Sequence, residues 1–149
     1  MEDTFVFIAT KEEETLIPEK YKDIPVIVTG VGALNAIFWA KRVHPETQII
    51  NIGYCGSKTF EVGTTLEIGK TAILHKCPFE SPILNITNRT NVICYSSSDF
   101  TEVSEKELFA VYDMELAFIR AVHPNTIAFK TVSDHVNYKE YERFVKSHT

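Results

Sequence analysis

The sequence predicts an α/β fold: a single domain over residues 1–149, with a mostly parallel central mixed sheet flanked by helices. Three observations carry that expectation. Apolar runs of strand length recur along the chain, nearly continuous rather than alternating, as in strands covered on both faces. Helical segments stand between many of them, the alternation expected of a parallel sheet. A chain of 149 residues fits one domain built on one core.

The elements follow in order. "TFVFIAT" (4–10) is a short apolar run read as a strand, and "KEEE" (11–14) follows it. "IPVIVTG" (24–30) is a second strand, ending in Gly30-Val31-Gly32. "ALNAIFWAKRV" (33–43) reads as a helix stopped by His44-Pro45, because the residue before proline disfavours helical backbone. "TQIINIG" (47–53) is a third strand and runs into "GYCGS" (53–57), which has the composition of a tight turn. "TTLEIGKTAIL" (64–74) is rich in β formers and fits one long or two short strands, and "NVICYSS" (91–97) is another. Ser104 and Glu107 have the spacing of a capping box. "LFAVYDME" (108–115) reads as a strand entering the helix "MELAFIRAV" (114–122), "TIAFKTVSD" (126–134) as the last strand, and "YKEYERFVKS" (138–147) as a terminal helix.

Composition excludes several classes of function. The net charge of −5 supplies no basic footprint for nucleic acid. No apolar run is long enough to span a membrane, and "MEDTFVFIATKEEE" lacks the basic start of a signal peptide. Cys55, Cys77 and Cys94 are odd in number and widely spaced, which argues against a disulfide framework or a metal site and for reduced thiols in a cytoplasmic protein. The five histidines show no metal-ligand spacing.

Ligands of open α/β sheets bind at the carboxyl ends of strands, and the unusual residues cluster there. Glu12 to Glu14, Gly30 to Gly32, Gly53 to Ser57, Ser98 to Phe100, Asp113 to Glu115 and Ser133-Asp134 each follow or end a strand. Glu14, Glu115 and Asp134 are candidates to converge over one edge of the sheet. Two carboxyl groups suit cleavage of a glycosidic bond, one as acid toward the leaving group and one orienting water. A third can accept both hydrogen bonds of a vicinal diol. Each residue also has a plainer reading. "KEEE" fits a solvated turn, Asp134 a helix cap, Glu115 surface charge at a helix start and Phe100 core packing. "GVG" is not a phosphate-binding loop, since no GK[ST] follows.

Taken together and in order, these motifs resemble the nucleoside phosphorylase superfamily, most of all its 5′-methylthioadenosine/S-adenosylhomocysteine nucleosidase branch. "FIATKEEETL" is similar to that branch's strand and acidic triplet, whose third acid orients the attacking water. Glu14 is the expected counterpart. "IINIGYCGSKTFEVGTTLEI" resembles the family's "INxGxAGGL…VGD" stretch, which places Gly53, Tyr54, Cys55 and Gly56 in the base and ribose pocket. "YSSSDF" is similar to "SGDxF", whose aromatic ring packs on the purine, here Phe100. "YDMELAFIRAV" is similar to "EMExAAIA", so Met114 would lie under the ribose and Glu115 would bind its hydroxyls, with Asp113 beside them. "KTVSD" resembles "RxISD", so Asp134 would protonate the purine at N7 and Ser133 would orient it or contact the base.

The resemblance implies a hydrolase for purine nucleosides that needs no metal or organic cofactor, binds neither nucleic acid nor membrane, and assembles as a homodimer or larger homo-oligomer. The chain departs from the pattern in being shorter, in Asp113 for Glu, in Lys130 for Arg, and in Tyr54, Cys55 and Ser57 where small residues are usual. Phosphorylases of the superfamily carry a phosphate-binding Arg just before the Gly-rich turn. Asn51 stands there, which with Glu14 favours water over phosphate. The alternatives are a phosphate-dependent phosphorylase and a non-catalytic nucleoside-binding protein.

Overall fold

The computed structural model describes residues 3–74, 81–98 and 107–148. Phe100, Cys77 and Ser104, the first member of the expected capping box, lie outside them.

Nine strands form one mixed sheet among the described residues. Strand β1 (Thr4–Ile8) lies between β2 (Val26–Val28) and β3 (Gln48–Gly56), parallel to both. The next two strands, β4 (Thr65–Glu67) and β5 (Lys70–Ile73), are short and separate. A two-residue strand, β6 (Leu84–Asn85), pairs antiparallel with β5. Strands β7 (Ile93–Ser96) and β8 (Ala110–Asp113) are parallel to each other, and β7 is parallel to β5. The last strand, β9 (Thr126–Asp134), runs parallel to β3 and antiparallel to β4.

β3 is the branch point of the sheet. Along Ile49–Cys55 it pairs with β9, and at Gly56 it meets Tyr112 of β8. The stretch Gly53-Tyr54-Cys55-Gly56 is therefore strand, not the turn its composition suggested. Local glycine content yields there to eight residues of pairing with β9. A register shift between Cys55 and Gly56 marks a bulge, which bends the strand end toward β8 and Asp134.

The alternation of side chains along β1 and β3 divides the core. Val6, Ile8, Ile50 and Ile52 face one side and pack with Ile17. Phe7 and Ile49 face the other, against Ala36 and Ala40 of helix α1 (Ala33–Arg42) and Ile119 of helix α2 (Leu116–Val122). A third cluster joins Cys55, Cys94, Val111, Leu116 and Val132 beneath the strand ends. Two 3-10 helices, Lys11–Leu16 and Glu19–Tyr21, fill the connection from β1 to β2. Helix α3 (Tyr138–His148) follows β9 directly and carries no fully buried residue. No helix among the described residues is long and apolar enough to cross a membrane.

Candidate active site

A cavity of about 300 Å³ opens over the carboxyl ends of β1, β3, β8 and β9. That volume is at the lower end of the range for small-molecule pockets. Four carboxyl groups line it, Glu13, Asp113, Glu115 and Asp134, and they come from distant parts of the chain.

Glu13 comes from the first 3-10 helix. Its Oε1 accepts hydrogen bonds from the backbone N–H groups of Ala9 (2.7 Å) and Thr10 (3.1 Å), and its Oε2 from Tyr54 N–H (2.9 Å). The acid expected in this role, Glu14, lies on the exposed face of the same helix and does not line the cavity. The helix turns one residue earlier than the acidic triplet suggested. Thr10-x-x-Glu13 is the signal in the sequence that could have found it: in a capping box the acid three residues on reaches back to the first N–H. Burial pushes the Glu13 carboxyl above its ordinary range, although Lys130 and the three N–H donors oppose it.

Gly53 makes this placement possible. A Cβ on it would stand 2.6 Å from Glu13 Oε2 and 3.4 Å from Lys130 Nζ. Gly53 itself does not line the cavity, whereas Tyr54, Cys55 and Gly56 do. Gly56 serves Asp134 in the same way, since its Cβ would meet Asp134 Oδ1 at 2.8 Å.

Asp134 ends β9. Its Oδ1 accepts from the N–H groups of Val136 (2.8 Å) and Asn137 (3.1 Å), and the Ser133 hydroxyl donates to its Oδ2 at 2.6 Å. Burial raises its pKa against those three bonds. Asp134 is not itself the cap of α3. The carboxyl clamps the turn before α3, while Asn137 caps the helix by accepting from Glu140 N–H. The clamped turn holds Val136 at φ 65, a left-handed backbone that a β-branched residue rarely adopts.

Glu115 stands just before α2, and its Oε2 accepts from Gly32 N–H at 2.9 Å, tying β8 to the glycine turn ahead of α1. Burial first, and then the neighbouring Asp113, push its pKa up to about 7. Met114 also lines the cavity. Asp113 lines it too, and its Oδ2 forms a buried ion pair with Lys130 Nζ. Ser96 donates to Asp113 Oδ1, and Asp113 Oδ2 also accepts from Leu116 N–H, so the pair sets the start of α2. Burial opposes both charges, yet each holds the other ionised: Asp113 lies below its ordinary range and Lys130 above its own. Desolvation drives the thiols of Cys55 and Cys94 upward, so both remain protonated.

Helix α3 closes one side with Tyr138 and Tyr141, neither of which was singled out from the sequence. Tyr54 meets the rings of Tyr141 and Phe144 edge-on at 6.0 and 5.9 Å. The large residue at position 54 thus anchors α3. Asn51 is buried within β3, with its Nδ2 donating to Phe7 O, and does not line the cavity. No lysine or arginine lines the cavity among the described residues, and no group of three His, Cys, Asp or Glu there is arranged to hold a metal.

No protein-family model and no curated protein matches the sequence significantly. Solved structures do match. A mutant of the Helicobacter pylori nucleosidase MTAN with 5′-methylthioadenosine in its active site superposes with a TM-score of 0.76 at 14% identity, covering 99% of this chain and 93% of that one. A futalosine hydrolase mutant from Helicobacter pylori gives 0.76 at 13% identity, over 99% and 94%. The 5′-methylthioadenosine/S-adenosylhomocysteine nucleosidase from Neisseria meningitidis, in complex with methylthio-immucillin-A, gives 0.74 at 16%, over 99% and 94%. Over nearly its whole length, the chain has the fold of these nucleosidases and hydrolases.

Proposed function

We propose that the protein is a purine nucleosidase, hydrolysing the N-glycosidic bond of a nucleoside such as 5′-methylthioadenosine or S-adenosylhomocysteine. The observation that carries this reading is the convergence of Glu13, Glu115 and Asp134 on one cavity, in the fold of known nucleosidases.

The chemistry follows from what each carboxyl has left to offer. A carboxylate has about four acceptor sites, and backbone N–H groups occupy three of those on Glu13. The remaining site accepts one O–H of a water and aims its lone pair at the ribose C1′. Asp134 keeps one site on Oδ2, and burial favours its protonated form, so it gives that proton to a ring nitrogen of the base. The C1′–N bond then breaks with its electron pair going to the base. Water adds to C1′, and its proton passes to Glu13. Glu115 accepts the hydroxyls of the sugar, with Met114 against the ring.

Water is favoured over phosphate as nucleophile. The cavity wall carries carboxyl groups and no cation among the described residues, and a phosphate dianion needs Arg or Lys. Leu34, 86% exposed, and Phe38 leave an apolar stripe on the outer face of α1, which supports assembly with a second copy.

The test is chromatographic. The purified protein is incubated with 5′-methylthioadenosine, S-adenosylhomocysteine, adenosine, inosine and guanosine, with and without phosphate, and free base is measured. Base released without phosphate is the expected result. Release only with phosphate would make the protein a phosphorylase. Tight binding without release would make it a nucleoside-binding protein.

A further inference from the structure

Gly30-Val31-Gly32 stands just beyond the end of β2, and the proposed chemistry gives it no task. Its backbone is pinned on both sides. Gly30 N–H donates to Ala9 O at 3.0 Å, and the Thr29 hydroxyl donates to Gly30 O at 2.8 Å. Asn35 reaches back from α1 and gives its Nδ2 to Val31 O at 2.9 Å, while Gly32 O accepts from Ala36 N–H at 3.1 Å. The two glycines hold φ at 90 and 98, a backbone that L side chains rarely adopt. A turn fixed in this way aims one group at the cavity. Gly32 N–H donates to Glu115 Oε2 at 2.9 Å, across 83 positions of sequence. It is the one hydrogen-bond donor that the buried Glu115 carboxyl meets among the described residues.

We propose that Gly32 is a positioning residue for the sugar site: its N–H holds Glu115 Oε2, and so leaves Oε1 turned to the hydroxyls of the ribose. A glutamate side chain is long and rotamer-rich, and one bond to a pinned backbone donor removes much of that freedom before a ligand arrives. About three acceptor sites remain on the carboxylate, enough for two hydroxyls. The donor also lies at the start of α1, where the helix favours an anion. Burial first, and then Asp113, push the Glu115 pKa up to about 7, and Lys130 and the Gly32 N–H oppose them. Near neutrality a single hydrogen bond therefore weighs on whether the group can accept from both hydroxyls. Val31 lines the cavity, so the same turn supplies part of its wall.

This role rests on the nucleosidase reading, but its test uses no turnover, so either can fail without the other. The full chain is assembled by ligation at the native Cys55, with glycolic acid in place of Gly32. The resulting ester lacks only the N–H. The same replacement at Gly30, which removes the bond to Ala9 O, controls for the loss of one backbone bond in this turn. Two quantities are read: the Glu115 titration midpoint, by carbon-13 NMR of its carboxyl, and affinity, by calorimetry. The ligands are a C-nucleoside isostere of adenosine, whose C1′–C bond resists hydrolysis, and its 2′,3′-dideoxy form. In the Gly32 ester the midpoint should rise by about one pH unit. Affinity for the diol should fall by about tenfold, and that for the dideoxy form should stay within about twofold. The Gly30 ester should match the parent in both. An unmoved midpoint, an equal change in the two esters, or an equal loss for the two ligands would overturn the proposal. So would a Gly32 ester that fails to fold where the Gly30 ester folds, since the bond would then be structural. If neither ester folds, the parent decides, labelled with nitrogen-15 at its six glycines. Its Gly32 amide proton should titrate with the Glu115 midpoint and cease to do so in E115Q, and a flat Gly32 signal would overturn the proposal.

Discussion

The Lys130 ammonium and the Asp113 carboxylate meet at 2.9 Å with both side chains 1% exposed. Removing one partner strands the other in the interior, which is far costlier than removing both. K130M alone should destabilise the protein by about 3–5 kcal/mol, and D113N/K130M should recover most of that. Urea unfolding of the three proteins checks it. A K130M loss below about 1 kcal/mol would mean that water reaches Asp113 freely.

Glu13 and Glu14 are adjacent in sequence and face opposite environments. E13Q replaces an acceptor oxygen with an amide that cannot accept from the strand N–H groups. On the proposed mechanism it should lower base release by about 10²-fold or more. E14Q should stay within about twofold, because substitutions at exposed sites away from specific contacts do little. Single-turnover assays on the two variants decide between the positions. Equal losses would return the role to the exposed face of the helix.

Asp134 performs two tasks that substitution can separate. D134N keeps an oxygen for the Val136 and Asn137 N–H groups but has no proton to give a base, so folding should persist while base release falls by about 10²–10⁴-fold. D134A also releases the turn and should cost a further 1–3 kcal/mol, roughly the cost of leaving buried donors unpaired. Thermal melts read alongside turnover distinguish the two.

Glu115 sets a pH dependence whose sign is fixed. Its folded pKa, about 7, stands above the ordinary 4.5, so the folded state binds the proton more tightly than the unfolded one. The contribution is fully present below about pH 4.5 and is lost as pH rises through 7, in total about 3 kcal/mol. Glu13 and Asp134 are raised as well and act in the same sense. E115Q should therefore match the parent near pH 5 and exceed its stability at pH 8. Denaturation at the two pH values measures the difference, and an unchanged slope would assign the loss to other groups.

Much of the scaffold was legible in the sequence. The first helix was expected at 33–43 and is found at Ala33–Arg42, and the last strand has the bounds its apolar run indicated. These segments have a period set by burial on a face, which the residues themselves record. The far half of β3 was not legible, because Gly53 and Gly56 are there to admit Glu13 and Asp134, and that need appears only once the chain has folded. Two residues of β6 escaped for a related reason: their only strand signal is a partner in β5. Of the residues singled out from the sequence, Glu115, Asp134, Met114 and Tyr54 line the cavity. Lys130 was visible only as a departure from a motif, since nothing local in "AFKTV" tells that its charge is turned inward against Asp113.

The pairing of β3 with β9 also governs how the protein can be made. Eight of the nine residues of β3 are buried, yet contacts such as Cys55 with Ser133 bridge 78 positions. A growing chain therefore emerges from the ribosome with this apolar strand complete and its main partner still untranslated. Contacts of such long range form late and slowly. A product that stops short of position 126 would expose a long unpaired strand edge, and would be a substrate for chaperones and proteases or a seed for aggregates. The residues of β9 that reach the cavity, Ser133 and Asp134, belong to the strand that covers β3.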